Sequence, residues 1–171
     1  MKQFFISTGI ALGLALSLSP ATAKDVKVGS LKIEHGYAME TRPGQPNGGA
    51  FIEVENRGKR VERLLSVSFP KTVSERGELH TMKHENGKMI MREVPKFEIP
   101  AGGKLKLQPG GDHLMIIGIK EPLKPGSTVK ATLQFENAGK VEVDLTVKAR
   151  GDIKKHGHDE SHHDGHGPMK H

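Results

Sequence analysis

Short runs in which apolar and polar residues alternate, each ended by Gly, Pro or Asn, occupy the chain from Val26 to about Lys148. Side chains of a β-strand point alternately to its two faces, so this period of two predicts half-buried strands, and no stretch shows a convincing helical period. Breakers such as TRPGQPNGG and KEPLKPGS separate the runs at the spacing of a sandwich or barrel. The sequence therefore predicts one all-β domain over residues 24–150. The expected strands lie within residues 26–40, 48–56, 60–69, 72–85, 88–94, 104–110, 113–119, 128–137 and 140–148.

The first 23 residues differ from this domain. They have a Lys near the start, an apolar run from Phe4 to about Leu18 and a terminal A-x-A motif, which together indicate a secretory signal peptide. The apolar run is shorter than the roughly 20 residues that span a bilayer, which argues against a membrane anchor, and no Cys follows it to carry a lipid. We therefore expect a soluble, periplasmic protein that starts near Lys24.

Residues 151–171, GDIKKHGHDESHHDGHGPMKH, hold six of the ten histidines and almost no apolar side chains. A segment that buries so little surface cannot offset its chain entropy, so we expect a disordered tail. An affinity tag or a solubilising end are alternatives, but His-rich tracts mixed with carboxylates favour metal binding, with Cu(II) or Zn(II) as the suited ions. The candidate auxiliary ligands in the tail are His156, His158, His162, His163, His166, Met169 and His171.

The composition excludes several classes of function. There is no Cys, which removes disulfides, thiolate nucleophiles, zinc fingers and a blue-copper centre. The net charge of +6 is scattered among carboxylates, and six Phe, one Tyr and no Trp leave few rings to stack on bases, so we do not expect nucleic acid as a partner. No grouping of nucleophile, base and orienting acid stands out, so we do not expect an enzyme.

Asn86-Gly87 lies between two alternating runs and predicts a β-hairpin with a two-residue type I′ turn. That turn fixes the register, so that His84 faces Met89 and Met82 faces Met91. His80 is then diagonal to Met91 on the same face of the ribbon, with diagonal backbones roughly 7 Å apart.

A second pair of candidate ligands lies in the run HLMIIGI, where His113 and Met115 are two residues apart and share a strand face. Leu114 and Ile116 point the other way. If these two enter the core, His113 and Met115 face outward or into a pocket lined by loops, where an ion can lie between them.

Imidazole and thioether groups without thiolate or carboxylate are soft, neutral ligands that favour Cu(I) over harder ions. In a partly buried site the lower oxidation state also costs less, because less charge is removed from water. A site without Cys suits an oxidising compartment, where a thiol would be oxidised.

The spacing of His80, Met91 and His113-x-Met115 resembles the motif of the periplasmic copper chaperones of the PCu(A)C family. The stretches ELHTM, GKMIMR, IPAGGKLKLQPGGDHLMIIGI and VKATLQFENAGKVEV are also similar, so the resemblance covers most of residues 24–150. It implies a cupredoxin-like Greek-key β-sandwich that binds Cu(I) through these four side chains. It also implies delivery of copper for cytochrome c oxidase assembly, to an oxidase subunit or another assembly chaperone. Some members carry a His- and Met-rich extension like the tail here.

The other candidate ligands have simpler explanations. A Met on a strand is usually a core residue, so Met39, Met82 and Met89 are assigned to the core. His84 lies nearest the turn and is expected to be exposed, with an auxiliary ligand role as the alternative, and His35 is interpreted as structural. The carboxylates that alternate with apolar residues are assigned to a solvated strand face; they include Glu34, Glu53 and Glu55.

A second functional hypothesis is buffering of periplasmic copper or zinc, or resistance to these metals, acting mainly through the tail. In that case no dedicated copper acceptor is needed.

Overall fold

The computed structural model describes residues 24–153. The predicted signal peptide and all the candidate ligands of the tail lie outside the described residues. Eleven strands and one 3-10 turn make up the regular structure of the described part. They are β1 (Val26–Val28), β2 (Leu31–Met39), β3 (Asn47–Asn56), β4 (Glu62–Ser68), β5 (Arg76–Glu85), β6 (Lys88–Glu93), β7 (Phe97–Ile99), β8 (Lys104–Lys106), β9 (His113–Ile117), β10 (Thr128–Phe135), β11 (Gly139–Lys148) and the 3-10 turn Arg150–Asp152.

The predicted all-β class is confirmed, with one strand that the sequence did not reveal. Phe97–Ile99 forms β7, which pairs with β4. The following Pro100 and the glycines after it suggested only a break between strands. Three residues are too few for alternation to be recognised, although Phe97 and Ile99 are buried and the residue between them is exposed, as alternation in a strand predicts.

The strands form one open sheet in the order β6-β5-β9-β3-β2-β11-β10-β4-β7, with β1 beside β2 and β8 beside β3. All pairs are antiparallel except β2 with β11. The sheet folds over, so that β7 approaches the end of β3, where the buried Asn56 amide donates to the Ile99 carbonyl over 3.1 Å. The inner faces enclose an aliphatic core in which Leu64, Leu114, Leu133 and Leu145 are fully buried.

Alternation along β5 and β9 decides what faces this core. Leu79 of β5 and Leu114 and Ile116 of β9 are buried in it. Their neighbours in sequence therefore lie on the outer face of the sheet, which includes His80, the residue after Leu79. Leu114 and Ile116 lie in the core, so His113 and Met115 project from the other face of β9.

Close approach of β4 to β5 requires a residue without a side chain at Gly77. A Cβ atom there would lie 2.6 Å from the Val67 carbonyl oxygen and 2.9 Å from the Phe69 ring. Neither the backbone nor the buried ring can move away easily.

We therefore expect Gly77→Ala to lower the free energy of unfolding by about 1 to 3 kcal/mol through overpacking, as measured by urea denaturation. Gly151→Ala is the control, because nothing lies within 4 Å of its Cβ position. Equal stability of the two variants would contradict the close approach of β4 and β5.

Candidate metal centre

The candidate centre is built on β5, which lies between β6 and β9. His80 of β5 is directly opposite His113 of β9 and, on its other side, opposite Glu93 of β6. The two imidazole centroids are 5.7 Å apart and their planes are inclined by 56°. The register thus brings together two histidines that are 33 positions apart in the chain.

The two candidate thioethers flank this histidine pair along the axis of β5. Met115 lies opposite Glu78, and Met91 lies opposite Met82. Each methionine is therefore a diagonal neighbour of His80, one toward either end of the strand. Diagonal partners lie about 7 to 8 Å apart in the backbone, a separation that long side chains can bridge. His80 is the common neighbour of the other three predicted ligands.

His113 is buried, with 6% of its surface exposed. Its Nδ1 atom lies 2.9 Å from the Gly111 carbonyl oxygen, and its ring centroid lies 6.3 Å from that of Phe51. Phe51 in turn packs on Tyr37 at 5.0 Å. The loop before β9 and these aromatic rings therefore hold the His113 imidazole on the outer face.

Phe51 depends on a glycine beside it. A Cβ atom at Gly49 would lie 3.2 Å from the Phe51 ring, so the ring lies close over the Gly49 backbone. Gly49 is also the register partner of Met115. Phe51 could not be predicted from the sequence as part of the site, because alternation alone does not reveal which outward aromatic residue covers a histidine.

His80 contacts the carboxylate of Glu78, a residue that was not among the predicted site residues. Its Nε2 atom lies 2.8 Å from Oε2 of Glu78, and Arg76 Nε donates to the other oxygen over 2.6 Å. Hydrogen bonds from Arg76 and, next, from His80 hold the pKa of Glu78 below its ordinary value. Period-two spacing places Glu78 on the same face as His80, so this signal was available in the sequence.

The predicted hairpin register is confirmed: His84 pairs with Met89, and Met82 pairs with Met91. Asn86 and Gly87 have φ of 51° and 76°, as a type I′ turn requires. His84 is exposed as expected.

The assignment of Met89 to the core is wrong, since 44% of its surface is exposed, almost as much as the 45% of Met91. The cause is the position of β6 at the edge of the sheet, where the ribbon extends beyond the core. Met39 and Met82 are half-buried.

The remaining candidates lie away from this face or on the surface. His35 is exposed in β2 with φ of 56°, where the β2 register shifts. Glu53 and Glu55 form ion pairs with Lys104 and Arg57. Residues 24–153 contain no group of three or more His, Cys, Asp or Glu placed to bind a metal ion. Over the same residues, no helix is long and apolar enough to cross a membrane.

Comparison with known proteins identifies the family. The model of the LpqE-like family matches residues 31–147, which include all four predicted core ligands. "Putative lipoprotein Lxx21020" of Leifsonia xyli subsp. xyli is 31% identical over 137 residues, or 80% of this chain and 81% of the relative. The chain belongs to the LpqE-like family. The match runs from the first residue of β2 to the last residue but one of β11.

Solved structures relate this LpqE-like chain to copper-binding domains. The copper-bound PCuAC domain of PmoF2 is 25% identical, with a TM-score of 0.62 over 74% of this chain and 98% of that domain. The Cu(I) form of DR1885 from Deinococcus radiodurans is 30% identical, with a TM-score of 0.56 over 75% of this chain and 83% of that protein. The predicted PCu(A)C family and cupredoxin-like fold are confirmed.

Because His113 is buried, we expect its imidazole to react slowly with a reagent in solution. We expect diethyl pyrocarbonate to modify exposed His84 several times faster than His113, as measured by peptide mass spectrometry. Phe51→Ala removes a ring packed on the imidazole and should accelerate modification of His113 while leaving His84 unchanged. Equal rates for the two histidines in the unaltered protein would contradict the buried position of His113.

Proposed function

We propose that the protein is a copper chaperone that holds Cu(I) on His80, Met91, His113 and Met115. The position of His80 supports this proposal most strongly. It lies directly opposite the His113 imidazole and diagonal to the thioethers of Met91 and Met115. Copper-bound relatives of the same fold support copper as the cargo. The relatives of known structure are copper-binding domains, which supports a binding role and not an enzymatic one for this protein.

The chemistry of the four groups favours the monovalent ion. Two imidazoles and two thioethers are neutral and soft, so they leave the charge of the metal uncompensated and prefer Cu(I). The Glu78 carboxylate is hydrogen bonded to His80 and ion paired with Arg76. Because Arg76 balances the negative charge of Glu78, this carboxylate and the four neutral ligands together add little net charge. In a partly buried position that favours a monovalent ion over a divalent one.

The four ligands differ in exposure, and this asymmetry suggests how copper leaves. His113 is buried against Phe51, whereas Met91 lies on the edge strand with 45% of its surface exposed. A partner's ligand can therefore displace Met91 first while the imidazoles still hold the ion. Transfer then proceeds by stepwise ligand exchange and never releases free copper.

The acceptor we propose is a cytochrome c oxidase subunit or another chaperone of its assembly, as the resemblance to PCu(A)C chaperones implies. The location we propose is the periplasm, reached through a cleavable signal peptide at residues 1–23. A lipoprotein name among the relatives supports export. The present sequence has no Cys, so a lipid attached to cysteine is not part of the proposal.

For the tail we propose an auxiliary role in collecting Cu(II) or Zn(II). The six histidines among residues 156–171 are interspersed with Asp and Glu, a donor set harder than that of the core site. Buffering through the tail alone is the competing function.

The test of the core site is competition for Cu(I) against a chromophoric chelator under anaerobic conditions. We expect His113→Ala and Met91→Ala each to weaken Cu(I) binding by at least about 10- to 100-fold. That is the loss found when a residue that only orients a metal ligand is removed. The circular dichroism of the β-sheet should be unchanged for Met91→Ala, because this side chain is not in the core.

Met89→Ala is the matched control for Met91→Ala. Both methionines lie on the same face of β6 and have nearly equal exposure, but Met89 pairs with His84, away from His80. We expect its affinity to be close to that of the unaltered protein. An equal loss in the two variants, or no loss in Met91→Ala, would overturn the assignment of Met91.

Deletion of residues 154–171 separates the chaperone from the buffering hypothesis. The chaperone proposal predicts that the first Cu(I) still binds with unchanged affinity and that binding of further Cu(II) or Zn(II) is lost, as measured by titration with metal analysis. Collapse of Cu(I) binding together with intact oxidase assembly would instead favour buffering by the tail.

A further inference from the structure

The two nitrogens of His80 have opposite environments. Nε2 lies 2.8 Å from the Glu78 carboxylate, whereas Nδ1 is buried and has no hydrogen-bond partner within the described residues. A buried polar atom without a partner costs free energy, so its presence in a folded protein requires an explanation. Binding of a metal ion to Nδ1 would provide that explanation.

The hydrogen-bond partners determine which nitrogen carries the proton. A carboxylate only accepts hydrogen bonds, so the Nε2 atom beside Glu78 must be the protonated nitrogen of a neutral imidazole. Nδ1 then carries the lone pair, and a metal binds the imidazole through that lone pair. In His80 the available donor is therefore the buried, unpartnered Nδ1.

His113 has the reverse arrangement. Its Nδ1 lies 2.9 Å from the Gly111 carbonyl oxygen, which also only accepts. Nδ1 of His113 is thus protonated and Nε2 carries the lone pair. The two histidines that face each other across β5 and β9 are held as different tautomers by different partners.

We propose that Glu78 is a positioning residue that fixes His80 as the Nε2–H tautomer, so that copper is bound by His80 Nδ1 and His113 Nε2. The inference rests on the proposed function for its copper ligands, but the tautomers themselves exist without copper. Arg76 completes the arrangement, since its hydrogen bond to the second oxygen of Glu78 fixes the orientation of the carboxylate. Carboxylate partners of this kind orient metal-binding imidazoles and raise their basicity.

The direct test is the tautomeric state of both rings, measured by long-range ¹H–¹⁵N correlation on the full-length protein without copper at a pH where the imidazoles are neutral. We expect an unprotonated Nδ1 in His80 and an unprotonated Nε2 in His113. Addition of one equivalent of Cu(I) should shift these two nitrogens most. A protonated Nδ1 in His80, or a Cu(I)-dependent shift centred on its Nε2, would overturn the proposal.

Variants at Glu78 separate positioning from a structural role. Glu78→Ala should leave His80 as a mixture of tautomers and weaken Cu(I) binding about 10- to 100-fold. Glu78→Gln keeps an acceptor for Nε2–H, so we expect it to restore the tautomer and part of the affinity. An unchanged tautomer in Glu78→Ala would overturn the role of Glu78.

Glu93→Ala is the control for charge. Glu93 lies directly opposite His80 on β6 and is exposed, so its removal changes the net charge near the site equally. We expect Glu93→Ala to retain the His80 tautomer and to lose less Cu(I) affinity than Glu78→Ala. An equal loss of affinity in the two variants would contradict a positioning role, because the charge of Glu78 alone would then explain its effect. If the tautomers are as predicted but His113→Ala leaves Cu(I) affinity unchanged, the proposed function fails and the tautomer assignment stands.

Discussion

The pairing of β5 with β9 is the constraint on which the candidate centre depends. Its register sets Leu79 against Leu114 in the core and, one residue further along β5, His80 against His113 on the outer face. A slip of one residue would exchange the two faces and bury the imidazoles among aliphatic side chains. The same hydrophobic burial that stabilises the sandwich therefore also fixes the spacing of the two histidines. No further contact is needed to bring His80 and His113 together.

The two histidines lie directly opposite each other, but their surroundings differ. His113 is covered by the loop before β9 and by Phe51, whereas His80 is oriented by Glu78 and adjoins the exposed edge ribbon. His113 is thus shielded from water, whereas Met91 on the edge strand β6 is exposed. This combination suits a protein that must hold a metal ion securely and still surrender it to a partner.

Much of this arrangement could be predicted from the sequence, because period-two alternation and an Asn-Gly turn determine faces and register locally. The pairing of Met82 with Met91 follows from these two rules. The pairing of β5 with β9 does not, since it joins strands distant in the chain. The resemblance to a known family implied only that the four side chains bind one ion, without the strand register that brings them together. The exposure of Met89 could not be predicted in this way. Alternation shows which side chains share a face of a strand, but it does not show how far along the strand the protein core extends.

X-ray absorption at the copper K-edge, recorded on the full-length protein loaded with one equivalent of Cu(I), tests most directly whether these four side chains bind the ion. We expect a monovalent edge and a first shell that contains two sulfur and two nitrogen scatterers, from the two thioethers and two imidazoles of the proposed site. A first shell of nitrogen and oxygen alone would contradict it, because copper would then be bound without Met91 and Met115.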